Sequence, residues 1–318
     1  MNRKVKGYAL GAVAAASYGL NPTFALPLYA DGMNPDSVLL LRYGFAIPIV
    51  AAMIALRGRS FRVGKGSLLP LAVLGLLMSL SSLTLFMSYN FMAAGIASSI
   101  LFVYPIMVAV IMSVFFKERM TMQTVLCILL ATCGIMLLYM NPEGGTLSLA
   151  GTLLVIGSAL VYAMYLVGVN NRRVSGIATL TVTFYVLCFG ALLFVGRILG
   201  GEPLTLPTSR WLWLDAFALA ALPTAVSLMC TTAAIQAIGS TPTAILGALE
   251  PVTAVLMGIF LFDESMSARE AFGIAMILVS VSFVIAGGSD GGKAIARHLT
   301  RFRHMFPRMA RNKKTPMS

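Results

Sequence analysis

Stretches of about twenty apolar residues follow one another along the whole chain, at about 7–28, 36–56, 67–89, 94–116, 122–140, 148–168, 177–199, 211–235, 242–262 and 268–286. Each is long enough to cross a hydrocarbon core about 30 Å thick as an α-helix. The breaks between them are short, the longest being about 197–210, so no room is left for a separate soluble domain. Alternation with a period of two is absent, which argues against a membrane barrel. Only 11% of the 318 residues are charged, against about 25% in a soluble globular chain. There is too little polar side chain to coat a water-facing surface. The expected fold is therefore an all-α membrane protein of ten transmembrane helices.

The charges set an orientation. If both termini face the cytoplasm, the inner segments carry 19 of the 23 Lys and Arg residues, and Arg197, Arg210 and Arg269 fall outside. Cytoplasmic loops collect Lys and Arg, so the net charge of +12 is a topology signal and no nucleic-acid partner is expected. The tail segment 293–306 places Ile295, Leu299, Phe302 and Phe306 at helical spacing among arginines. It reads either as a helix on anionic lipid headgroups or as a disordered basic tail. The N-terminal Arg3, Lys4 and Lys6 ahead of an apolar run also resemble a signal peptide, but the run is long and completes the repeat described next. Asn34-Pro35, Thr241-Pro242 and Ser267-x-x-Glu270 read as helix starts.

The second half of the chain repeats the first. Shifted by 146 positions, LFVYPIMVAVIMSVFFKERMT faces GALEPVTAVLMGIFLFDESMS without a gap, pairing Ser81 with Ser227, Asn90 with Gln236, Tyr104 with Glu250, and Pro105 with Pro251. Nearer the start of each half the shift is 144, pairing Gly7 with Gly151 and Tyr18 with Tyr162. Five helices per unit is an odd number, so the second unit enters the membrane inverted. Inverted repeats are a transporter architecture with the substrate site near the midplane, between the repeats. The expected units are 1–140 and 141–286, followed by a basic cytoplasmic tail, 287–318.

These residues resemble a known family. Two five-helix repeats, Leu249-Glu250-Pro251-Val252 followed by Asp263-Glu264, Tyr104-Pro105 followed by Lys117-Glu118, Ser17-Tyr18-Gly19 and Arg42-Tyr43 are similar to elements of the EamA-type drug/metabolite transporters over about 5–285. The chain departs at Tyr104 and Ser280, where the family often has Leu and Gly, and it lacks an embedded Glu in its first helix. The resemblance implies a secondary transporter that exports small metabolites, most often amino acids or related compounds, through a bacterial inner membrane. Alternatives are a carrier for drugs, sugars or nucleobases, and an integral-membrane enzyme acting on lipid-linked substrates. Against the enzyme, no clustered acidic, His or Ser constellation is visible, so no catalytic residue, metal or cofactor is expected. A nucleotide fingerprint is likewise missing, and monomer and homodimer are both left open.

The candidate substrate-binding residues are Tyr18, Asn21, Arg42, Tyr104, Tyr162, Tyr165 and Glu250. A charge at the centre of a spanning helix costs about 2.5–3.5 kcal/mol on insertion scales. Glu250 lies about eight residues into its span, roughly 12 Å deep, as an acceptor for a substrate ammonium, a proton site, or a neutral hydrogen-bonded bridge between helices. Arg42 reads as a snorkelling side chain, a packing residue, or a carboxylate ligand. The tyrosines combine apolar area with a polar tip, and repeat mates should face the same central space. Gly7, Gly11, Ala15 and Gly19 form a small-residue stripe that reads as helix packing. Glu118 and Glu264, at helix ends, read as loop caps.

Overall fold

A computed structural model describes residues 3–92, 94–118, 120–139, 148–262 and 267–288. Every regular element among them is helical: α1 (Arg3–Tyr18), α2 (Asn21–Ala30), α3 (Pro35–Leu56), α4 (Lys65–Ser88), α5 (Ala94–Leu101), α6 (Tyr104–Phe116), α7 (Met122–Tyr139), α8 (Leu149–Val169), α9 (Arg172–Ser175), α10 (Thr179–Leu199), α11 (Arg210–Ala220), α12 (Ser227–Ile238), α13 (Ser240–Leu246), α14 (Leu249–Phe262) and α15 (Ala268–Gly288). Five continuous helices are long and apolar enough to span a bilayer: α3, α4, α8, α10, and the run Arg210–Ile238.

The helices are more numerous than the apolar runs because proline interrupts three of them. Pro22, Pro105 and Pro251 stand in the first turns of α2, α6 and α14. A proline cannot donate to the carbonyl four residues back, and its ring crowds that carbonyl. At Pro251 the consequence is explicit. The Gly247 carbonyl, denied that bond, accepts from the Glu250 N–H at 2.8 Å, one residue short of α-helical spacing. A fourth proline, Pro223, leaves its run continuous but widens it into a π-helical stretch, Ala221–Val226. There the Thr224 hydroxyl donates to the Leu219 carbonyl that Pro223 leaves open, at 2.8 Å.

Helix starts follow side-chain chemistry. Asn34 caps α3, accepting from the Ser37 N–H at 2.8 Å. The expectation at Thr241-Pro242 shifts by two residues: α13 begins at Ser240 behind Gly239, whose φ is +88°. Pro242 then stands third in the helix, where its missing N–H costs nothing because first-turn N–H groups have no intrahelical partner. At α15 the Ser267 carbonyl accepts from the Ala271 N–H at 3.0 Å. The Glu270 side chain, Glu264 and the tail segment 293–306 lie outside what the structure describes.

Packing partners exchange between the halves as a pseudo-two-fold requires. Helix α1 packs on α12 as α8 packs on α4, and α3 packs on α11 as α10 packs on α4. Helix α1 also meets α14 as α8 meets α6. The hydrogen bonds repeat too. Ser81 Oγ donates to the Ser158 carbonyl at 3.2 Å, and its mate Ser227 Oγ donates to the carbonyl of Ala14, the mate of Ser158, at 2.9 Å. Between α7 and α15, Ser280 Oγ donates to the Cys127 carbonyl at 2.7 Å. The mates of those two residues, Gly134 and Gly273, also touch: a Cβ on Gly134 would lie 2.7 Å from the Gly273 carbonyl.

Candidate functional site

The two proline breaks related by the repeat meet at the centre of the molecule. Tyr104, the first residue of α6, reaches across to α13, where its hydroxyl donates to the Ala244 carbonyl at 3.2 Å. It rests over Gly247, where a Cβ would overlap it. On the other side, Gly19 at the α1–α2 break lies directly against the Glu250 carbonyl, and a Cβ there would overlap that oxygen. Only glycine allows the two backbones to come this close. The stripe of small residues in α1 has the same use along its length: Gly7 lies against Ala237 and Ile238, and Gly11 against Leu246.

A narrow cavity of about 20 Å³, room for little more than one water, lies between these breaks. Tyr18, Tyr104, Tyr162 and Glu250 line it, with Ser227, Thr231 and Thr243 supplying hydroxyls. Its aromatic wall is continuous. The Tyr18 and Tyr162 rings, repeat mates, lie nearly parallel at 6.5 Å. Tyr104 meets Tyr162 edge-on at 4.9 Å, and Tyr165 lies parallel to Tyr162 at 6.1 Å.

Glu250 occupies a different position in its helix from the one its sequence suggests. The break makes it a first-turn residue of α14, where the positive end of the helix dipole favours a carboxylate. Two ion pairs occur among the described residues, Arg197 with Asp36 and Arg197 with Glu202. Glu250 takes part in neither, and no side chain among the described residues hydrogen-bonds to its carboxylate. The half-buried acid lines the cavity with no hydrogen-bond or ion-pair partner among the described residues, within the field of the Arg42 charge.

Four of the seven candidates line the cavity together, and three do not. Arg42 does not snorkel: it is fully buried. Its Nε donates to Thr224 Oγ1 at 2.5 Å and its Nη2 to the Pro223 carbonyl at 3.4 Å. The guanidinium thus fastens α3 to the π-helical stretch. It also lies over the Tyr18 and Phe86 rings, at 5.7 and 5.4 Å from their centroids. Nη1 has no partner. Asn21, first in α2, is buried with neither end of its amide bonded. The Tyr165 hydroxyl is likewise buried, with Thr232 beside it but no well-formed hydrogen bond among the described residues. Sequence reading missed Thr224 and Pro223 as the receptors for Arg42, and Ser227, Thr231 and Thr243 as cavity hydroxyls. A proline inside an apolar run, followed by Thr, is the one local sign of the former.

Comparison with known proteins agrees with this architecture. The EamA-like transporter family matches the chain twice, over residues 5–140 and 149–286. An uncharacterized transporter of Archaeoglobus fulgidus is 28% identical over 193 residues, which are 59% of this chain and 65% of that protein. An uncharacterized transporter of Synechocystis is 27% identical over 262 residues, 78% of each chain. A crystal structure 18% identical in sequence has the same fold, with a TM-score of 0.76 over 93% of this chain and 99% of that one. The paired proline breaks, the exchanged helix contacts and the double family match make this chain a member of the EamA-like transporter family, within the drug/metabolite transporter superfamily.

Proposed function

We propose that the chain is a secondary carrier that exports small metabolites, foremost amino acids and related compounds, by alternating access. The observation that carries this reading is the Glu250 carboxylate, without a hydrogen-bond or ion-pair partner among the described residues, in a cavity whose aromatic walls come from both repeats. A substrate ammonium satisfies that carboxylate, and the tyrosines cover an apolar side chain. In this closed state the cavity admits little more than a water, so in this reading a solute enters only when the repeats part. Tyr18, Tyr104, Tyr162 and Glu250 form the binding site in this reading. Arg42, Asn21 and Tyr165 lie outside its lining.

The proposal includes ten spans in repeats 1–140 and 141–286, both termini in the cytoplasm, and residence in a bacterial inner membrane. The skew of Lys and Arg supports that orientation. Reporter fusions after Ser318 and at Gly201 should then report opposite sides, and the same side for both refutes the topology. Purified protein in proteoliposomes should give saturable flux of radiolabelled amino acids with no covalent change to them. Flux absent for neutral, basic and acidic amino acids alike, from protein that stays monodisperse, refutes the substrate class.

A further inference from the structure

A second and larger cavity, about 590 Å³, opens at the end of the helices that bears the N-terminus. Lys6 of α1 and Arg57 and Arg59, just beyond α3, stand at its rim, and among the described residues its lining contains no acidic side chain. Deeper in, the walls are Leu10 of α1 and Met229 and Ala233 of α12. Met229 is seven residues from Gln236 at the rim, so the cleft descends about 10 Å along α12.

The rim is held in place. Gly58, with φ of +57°, ends α3 in the left-handed conformation. The Gly58 and Arg59 N–H groups donate back to the Ala55 and Ile54 carbonyls, each at 3.0 Å. This pairing is a Schellman closure, and it fixes the direction in which the two arginines leave the helix. The chain that follows is tied to α10: the Thr181 and Tyr185 hydroxyls donate to the Ser60 and Phe61 carbonyls, each at 3.1 Å. Across the rim, Gln236 clamps α12 to the start of α10. Its amide donates to the Ile177 carbonyl at 3.1 Å and accepts from the Thr179 hydroxyl at 2.9 Å. Arg3 donates to the Gln236 carbonyl at 3.0 Å.

We propose that this cleft binds one anionic phospholipid of the adjoining leaflet, its phosphate between Lys6, Arg57 and Arg59 and an acyl chain against Leu10, Met229 and Ala233. Basic pockets between membrane helices recognise such headgroups. The volume and the apolar depth favour a lipid over a free phosphate, which would use only the rim. The site is separate from the central cavity, with which it shares no lining residue, and it does not depend on the identity of the carried solute.

The test is native mass spectrometry of the full-length protein in detergent with dioleoyl phosphatidylglycerol or phosphatidylcholine. The wild type should retain one phosphatidylglycerol and release phosphatidylcholine. The variant Lys6→Gln/Arg57→Gln/Arg59→Gln should lose that lipid by about tenfold or more. Ala233→Leu, which narrows the depth and leaves every charge in place, should lose it as well. Both variants keep the basic tail, so lipid retained by both means that binding lies elsewhere and overturns the proposal. Unchanged binding by Ala233→Leu, or displacement of the lipid by millimolar inorganic phosphate, reduces the site to an anion rim and overturns it too. If the triple variant fails to stay monodisperse, Ala233→Leu and the phosphate competition still decide.

Discussion

Glu250→Gln separates a functional carboxylate from a structural one, because the two roles predict opposite pairs of outcomes. The structure gives Glu250 no hydrogen-bond or ion-pair partner among the described residues, so the substitution breaks neither; it does remove a longer-range attraction to the buried Arg42 charge. It gives up a favourable interaction with the α14 N-terminus worth about 0.3–1 kcal/mol. In return it removes an ionisable group whose desolvation in a protein interior costs several kcal/mol when ionised. Unfolding temperature should therefore stay level or rise. Transport should fall. An ammonium about 4 Å from the carboxylate interacts by about 4 kcal/mol at an effective dielectric of 20. Dehydration of both ions offsets about half of that on the same scale, and the remaining ~2 kcal/mol is roughly thirtyfold in apparent affinity. The assay is initial flux per monodisperse protein in proteoliposomes, from about pH 5 to about pH 8, with thermal unfolding of the same preparations. Wild-type flux from the Gln protein across that range refutes the reasoning. A lowered unfolding temperature with flux lost in proportion refutes it as well, since that outcome belongs to a structural bridge.

Three further outcomes follow from the geometry. Arg42→Lys and Thr224→Val should each lower thermal stability by about 1.5–3 kcal/mol, the worth of a hydrogen bond to a charged group; the double variant should cost less than the sum, and strict additivity in a thermal-unfolding cycle would show that the two residues act independently. Gly19→Ala should cost about 1–3 kcal/mol by overpacking against the Glu250 carbonyl, whereas Gly44→Ala, with no atom within 4 Å of the new Cβ, should leave size-exclusion recovery unchanged; equal recovery of the two would contradict the close approach. Asp31, at the end of α2, accepts from the Thr208 hydroxyl and N–H at 2.6 and 3.0 Å, which hold its carboxyl below the ordinary 3.8. A depressed value contributes stability above the unfolded pKa that is lost as pH falls through the folded one, so amide exchange at Thr208 should stay slow above about pH 4 and quicken below it in the wild type. In Asp31→Asn the step should vanish, and a step that persists there would assign it to another group.

Much of this could be read from the chain alone, and the rest could not for identifiable reasons. Apolar length and the shift of 146 residues located the helices and their mates, because hydrocarbon burial imposes both on each segment separately. The breaks at Pro105 and Pro251 were visible as aligned prolines, but a proline in the first turn of a helix and a proline that severs one look alike in sequence. Which it becomes depends on whether a neighbour bonds the freed carbonyl: Thr224 does so for Pro223 and keeps that run whole, whereas at Pro251 the adjacent Glu250 N–H closes a tighter turn. Arg42 was legible as an expensive buried charge and illegible as a clasp, since its receptors lie about 180 positions away. The tyrosines were legible through the symmetry, which brings Tyr18 and Tyr162 face to face without any local signal.

The departures from symmetry are where the site acquires a direction. Mates occupy equivalent places about the pseudo-two-fold, so a duplicated Glu would set two carboxylates near the same axis, where like charges raise the cost of ionising both. The chain instead sets Tyr104 against Glu250, and the centre has one acidic end and one phenolic end. The first helix diverges in the same sense. Pro22 severs α1 from α2, while its mate Leu166 leaves α8 unbroken. Gly19 lies beside that break and brings it onto the Glu250 carbonyl; its mate, Ala163, carries a Cβ in the continuous helix. Both irregularities fall on the same side of the cavity, the one that holds the acid. If the proposed binding site is correct, a solute with one cationic and one apolar end has a single favourable orientation there, its charge at the α1–α2 and α13–α14 breaks and its apolar part on Tyr104 and Tyr162. A strictly symmetric repeat would offer two equal orientations and select neither.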